Sequence, residues 1–91
     1  MNKGDLWLHT KDIPGSHTIL ITEGKDVPES SILEAARIAA YHSKARESTN
    51  VAVDYTLVKH VSKPNGAKPG MVIFVNNRTL FVDPALPDIN Q

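Results

Sequence analysis

Pro28-Glu29-Ser30-Ser31-Ile32-Leu33-Glu34-Ala35-Ala36-Arg37-Ile38-Ala39-Ala40-Tyr41-His42-Ser43-Lys44-Ala45 is the one long stretch of the chain with helical spacing. Pro28 suits a helix entry, and Ser31-Ile32-Leu33-Glu34 has the form of a capping box. Ile32, Leu33, Ala35, Ala36, Ala39, Ala40 and Ser43 supply a small or apolar face, while Glu34, Arg37, His42 and Lys44 point away. Four alanines on that face let the helix backbone approach a sheet closely. The pattern is expected to fade near residues 45–48, where Ser and Thr collect.

On either side of this helix the period changes from 3.6 to 2. Upstream, Leu6-Trp7-Leu8-His9 reads as a strand, residues 11–16 as a turn punctuated by Pro14-Gly15, and residues 17–22 as a second strand rich in β-branched residues. Downstream, Val51 to Val61 reads as one long strand. Residues 62–70 read as a loop with two turn signals, Pro64-Asn65-Gly66 and Pro69-Gly70. Met71 to Val75 reads as a further strand, Asn76-Asn77 as a tight hairpin turn, and Arg78 to Val82 as the returning antiparallel strand. Asp83-Pro84 ends it, leaving a loose tail over 84–91. The order is β-β-α-β-β-β. Helix and strands are segregated, which predicts an α+β fold with one main helix on a mainly antiparallel sheet.

The chain has 91 residues, enough for one domain with its core over about 5–83. It has no cysteine, which excludes a disulfide scaffold, a thiol nucleophile and thiolate metal sites. There is no apolar run of bilayer length and no signal peptide, so no membrane partner is expected and the cytoplasm is the expected location. Ten basic residues balance ten acidic ones. The distribution is uneven: residues 1–54 hold six basic and eight acidic residues, whereas 55–82 hold Lys59, Lys63, Lys68 and Arg78 with no acid. That segment is either an ordinary solvated hairpin region or a local basic patch on a neutral chain.

Chemistry-bearing patterns are few. His9, Asp12 and His17 lack the spacing of zinc motifs. Gly15-Ser16-His17 lacks the strained elbow of a serine hydrolase, and no phosphate loop is present. No metal, no cofactor and no catalytic residue is expected. Two features point to binding instead. Lys59, His60, Lys63 and Lys68 lie on a Pro- and Gly-rich connection able to bring ammonium groups and backbone N–H donors to phosphates. The first turn gathers Trp7, His9, Lys11, Asp12 and His17. Trp7 either stacks on a base or belongs to the core, and in a small domain with a single Trp the core role carries more weight. Lys44 and Arg46 either extend a basic surface or complement the helix dipole.

Asp5-Leu6-Trp7-Leu8-His9 followed by Lys11-Asp12-Ile13-Pro14-Gly15-Ser16-His17 resembles the signature of the NFACT-R domain. Glu34-Ala35-Ala36, Ala39-Ala40-Tyr41-His42-Ser43, Val53-Asp54-Tyr55-Thr56, Lys63-Pro64 and Gly66-Ala67-Lys68-Pro69-Gly70-Met71-Val72 agree in order and spacing. The resemblance spans residues 5–82. It implies a non-catalytic RNA-binding module of a ribosome quality control factor. Such factors bind stalled large ribosomal subunits, recruit alanyl-tRNA and support alanine tailing. Structured RNA (large-subunit rRNA or tRNA) and the rest of an NFACT protein are the implied partners. The alternative is a protein-interaction module, including a fibronectin- or fibrinogen-binding adhesin with an extracellular matrix partner. The family's domain begins upstream of the Asp5-Leu6-Trp7 motif, and the chain has neither the N-terminal NFACT domain nor the coiled coil. It therefore reads as a piece of a larger protein. His9, Lys11, His17, Lys59, Lys63 and Lys68 are the expected RNA contacts.

Overall fold

In the computed structural model, residues 3–13, 17–66 and 72–86 are described. Leu6–Thr10 (β1) and Thr18–Leu20 (β2) precede one helix, Glu29–Tyr41 (α1). Val51–Leu57 (β3), a single 3-10 turn over Val58–His60, Val61–Ser62 (β4), Ile73–Phe74 (β5) and Arg78–Val82 (β6) complete the chain. The main sheet runs β2-β1-β3-β6, every neighbour antiparallel. β4 and β5 form a separate two-stranded ribbon. The α+β class and the segregated strand–helix order are those expected. No helix among the described residues is long and apolar enough to cross a membrane.

The core lies between α1 and one face of the sheet. Alternation along β1 turns Leu6 and Leu8 towards the helix, and alternation along β3 turns Val51 and Val53 the same way. Leu8, Val53, Ala36 and Ala40 are fully buried. Ala35, Ala36, Ala39 and Ala40 form the helix stripe that meets them. Methyl side chains keep the helix close to the sheet, so the larger apolar volume comes from the strands. Leu33 lies outside this stripe and is exposed.

Several boundaries differ from the sequence expectation. The helix begins at Glu29, not at the Ser31 capping box. Pro28 is the N-cap, with no side-chain cap bond, and its carbonyl accepts from the N–H groups of Ser31 (3.0 Å) and Ile32 (3.3 Å). The preset φ of proline starts the first turn, and Ser31 falls inside the helix. The helix ends at Tyr41, earlier than expected, because the Ser43 hydroxyl donates to the Ala40 carbonyl (2.7 Å) and accepts from the Ala45 N–H (3.0 Å). These local bonds replace a further helical turn. The second strand covers only Thr18–Leu20. Thr22 turns away to Asp5, its N–H donating to Oδ1 at 3.0 Å.

The long strand expected from Val51 to Val61 is interrupted. Register with β6 runs only from Val51↔Val82 to Tyr55↔Arg78, so the backbone past Tyr55 has no β6 partner. Val58 N–H then donates to the Asp5 carbonyl (2.8 Å) and Lys59 N–H to the Lys3 carbonyl (3.3 Å), and the chain turns. The hairpin expected between residues 71–75 and 78–82 is likewise absent. β5 pairs with β4, and β6 pairs with β3. Thr56 explains the switch: its hydroxyl donates to the Val75 carbonyl (2.9 Å) and approaches that of Asn76 (3.4 Å). Asn76 does adopt a positive φ of 56°, but it redirects the chain from ribbon to sheet instead of closing a hairpin. Met71 and Lys68 lie outside the described residues. Beyond β6, Ala85 N–H donates to the Arg37 carbonyl of α1 (3.2 Å).

The tightness of the helix–sheet contact has a direct test. Ala36→Leu forces a larger side chain into a fully buried site and is expected to destabilise the chain by about 1–3 kcal/mol. An unshifted urea midpoint would show that the helix does not sit close to the sheet.

Candidate nucleic-acid interface

The same alternation that sends Leu6 and Leu8 into the core sends Trp7 and His9 to the second face of the sheet. Cross-strand pairing then decides their neighbours. Trp7 lies opposite Thr56, His9 opposite Asp54, and Asp54 opposite Thr79 on β6. Ala52 and Phe81 pair on the same face, and Phe81 is 62% exposed.

Asp54 organises the polar half of this face. It is only 3% exposed, yet a carboxylate cannot be buried without partners. Its Oδ1 accepts from the Thr79 hydroxyl (2.6 Å) and the Asn77 side-chain amide (3.2 Å). Lys11 Nζ stands 3.8 Å from Oδ2, while its own side chain is half exposed. The Lys11 N–H donates to the Ala52 carbonyl (2.9 Å), which continues the β1–β3 ladder into the first turn.

Trp7 organises the aromatic half. The His9 ring stacks nearly parallel to the indole at 5.7 Å, and His17 meets it edge-on at 5.1 Å. Phe74 of the ribbon packs at 4.7 Å, tilted by 45°. The two imidazoles are 5.1 Å apart and edge-on to each other. The indole is 3% exposed, and its buried Nε1–H has no hydrogen-bond partner among the described residues. Burial holds the His9 pKa below the usual 6.5, the nearby His17 adds to this, and Asp54 opposes it. His9 is therefore neutral at physiological pH, one ring nitrogen a donor and the other an acceptor.

His9, Lys11 and His17 are thus brought together on one face. Lys59 is exposed on the 3-10 turn, and Lys63 is exposed just after β4. The β4–β5 ribbon, whose first strand lies between them in the chain, reaches the cluster through Phe74, and Lys68 lies outside the described residues. Sequence reasoning missed Asp54, Thr56, Phe74, Asn77 and Thr79. The alternation of β3 marks Asp54 and Thr56 as facing away from the helix, but only the strand pairing shows what they meet. Among the described residues no three His, Asp or Glu side chains are grouped as a metal ion would require.

Residues 1–76 match the family model described as the NFACT protein RNA binding domain. The chain belongs to the NFACT RNA-binding domain family. It is 56% identical over 82 residues to the Rqc2 homolog RqcH of Bacillus subtilis, covering 90% of this chain and 14% of that protein. It is 49% identical over 82 residues to the Rqc2 homolog RqcH of Streptococcus suis, with coverage of 90% and 15%. The solved C-terminal part of the fibronectin/fibrinogen-binding protein from Streptococcus suis superposes with a TM-score of 0.84 at 48% identity. That match covers 92% of this chain and 33% of the solved one. The NFACT-R chain therefore spans about a seventh of the length of these curated relatives. Within the matched residues, Leu6–Thr10 is the strand that builds both the core and the second face.

The depressed His9 pKa makes stability depend on pH. The unfolded chain takes up the His9 proton near 6.5, and the folded chain only at lower pH. Between those values the unfolded state holds more protons, so stability falls as pH falls. Urea titrations at about pH 7.5 and about pH 5.5 should show a larger loss in the natural chain than in His9→Gln. Equal losses would mean that His9 is not desolvated.

Proposed function

We propose that this chain is a non-catalytic RNA-binding module of a ribosome quality control factor. Its partners are large-subunit rRNA or tRNA, and through the longer protein it supports alanine tailing of stalled chains in the cytoplasm. The observation that carries this reading is the grouping of His9 and His17 around a buried Trp, with Lys11 on the Asp54 carboxylate beside them, on one sheet face of an NFACT RNA-binding domain. Lys11 and exposed His17 meet phosphates, and neutral His9 offers a hydrogen bond to a base edge or a 2′-hydroxyl. Lys59, Lys63 and Lys68 extend the contact along the backbone of the same RNA. A zero net charge means that affinity rests on few phosphate contacts, so binding is weak and its salt slope is set by that small number.

A second reading is favoured by the name of the Streptococcus suis neighbour, a fibronectin/fibrinogen-binding protein. Here Phe81, Ile73 and Val75, all more than half exposed, supply apolar contacts for another protein. Salt separates the two readings, because an apolar protein interface tolerates salt and a phosphate contact does not.

Titration of the chain with a tRNA and with a large-subunit rRNA fragment, at low and at physiological salt, tests the first reading. The double variant Lys63→Ala/Lys68→Ala should bind more weakly, with a salt slope reduced by about 1 per lysine. Unchanged affinity in that variant would move the site away from the ribbon.

A further inference from the structure

We propose that residues 41–46, just past the end of α1, form a second contact for the RNA phosphate backbone, built around an Arg46 guanidinium held on the Tyr41 ring. The inference rests on the RNA-binding reading and adds a surface on the opposite layer of the domain.

Charge density is the first observation. Residues 37–46 hold Arg37, Lys44 and Arg46, with His42 besides and no acid. That is three full cations in ten residues of a chain whose net charge is zero, a higher density than in the acid-free segment 55–82. Among the described residues the one ion pair joins Lys11 to Asp54. None of the three cations is spent on a carboxylate.

Their presentation is the second observation. Ser43 and Ala45 are buried, while His42, Lys44 and Arg46 are exposed. The alternation comes from a hydrogen-bonded turn. Ser43 Oγ bridges the Ala40 carbonyl and the Ala45 N–H, Arg46 N–H donates to the Ser43 carbonyl (3.3 Å), and Ser48 N–H donates to the Ala45 carbonyl (2.9 Å). Inward anchors at 43 and 45 hold three donors outward at 42, 44 and 46.

The helix end does not account for these groups. The Ile38 carbonyl accepts from His42 N–H (3.1 Å), and the Ala40 carbonyl accepts from Ser43. Two of the terminal carbonyls, those of Ile38 and Ala40, are thus satisfied by backbone and hydroxyl, not by Lys44 or Arg46. A favourable interaction with the helix dipole remains, but it engages none of the ammonium or guanidinium donors.

Arg46 is preorganised. Its guanidinium carbon lies 4.1 Å from the Tyr41 ring centroid, and Nη2 donates to the Tyr41 hydroxyl. His42 meets the same ring edge-on at 5.3 Å. An arginine already stacked on an aromatic ring loses less rotamer freedom on binding. It still presents a planar fork of donors, which matches phosphate oxygens. Lys44 adds a point charge next to it. An acidic protein surface would also attract this charge and fit the same fork; the RNA-binding reading of the domain favours phosphodiester, and polyglutamate is the control that separates the two.

The test uses the full 91-residue chain, isotope-labelled and titrated with an RNA hairpin at low salt and at about 0.15 M. Amide shifts at residues 41–46 are expected, distinct from those around His9 and His17. Lys44→Ala/Arg46→Ala should weaken binding roughly tenfold at low salt and lower the salt slope by about 2. Arg46→Lys keeps the charge and loses the fork, and should also bind more weakly. All these side chains are exposed, and an unchanged amide spectrum of the free variants checks the fold. If RNA shifts the His9–His17 region while 41–46 stay still and the double variant binds normally, the second contact is wrong and the first reading stands. Polyglutamate binding to the turn as tightly as RNA would overturn the assignment to phosphodiester. A chain that binds no RNA at all would remove both.

Discussion

Both faces of the fold depend on the alternation of a five-residue strand, Leu6–Thr10, held in the middle of the sheet. Leu8 and Trp7 are neighbours in sequence and are buried on opposite sides. A slip of one residue would put the indole against the alanine helix and the leucines against the imidazoles. Asp5 guards the register from just outside the strand. Its carboxylate takes the Thr22 N–H, and its carbonyl takes the Val58 N–H. One buried residue thus ties the strand to the segments that follow both of its partners, β2 and β3.

The second face is a consequence of the first. The alanines of α1 accept the strand leucines and valines at close range, so β3 is fixed with Val51 and Val53 inward. Asp54 and Thr56 must then face outward from the helix, and each controls a different piece of chain. Asp54 gathers Lys11, Asn77 and Thr79. Thr56 captures the carbonyls at 75 and 76, which delivers Phe74 to Trp7 and sends β6 back to the sheet. The second face is assembled by two polar side chains of a strand whose alternate residues serve the core.

Much of this was legible in the sequence. The alanine stripe and the two periodicities around it set the α+β class, and the motif at residues 5–17 marked the family and the first turn. Local signals misplaced what depends on partners. Of the two start signals, the Ser31–Glu34 cap form misplaces the helix start, while the entry proline Pro28 marks it. Residues 51–61 are all acceptable in a strand, and nothing in their propensity reports that β6 runs out at Tyr55. Asn76-Asn77 is a sound turn signal, yet a turn does not say which strands it joins. Asp54 reads as an exception within an apolar strand until its three partners are seen. The deciding contacts are long-range, so a single local window does not contain them.

The outer strand β6 bears on how the molecule behaves in bulk. Among the described residues no strand pairs with its outer side, and Phe81 stands exposed upon it. Arg78 is the one formal charge within the strand. With a sequence pI near 6.9, little repulsion holds copies apart at neutral pH. Concentrated solutions of the bare chain therefore lean towards edge-to-edge stacking through β6. Their colloidal stability improves on either side of neutrality, or wherever a larger neighbour shields that margin of the sheet.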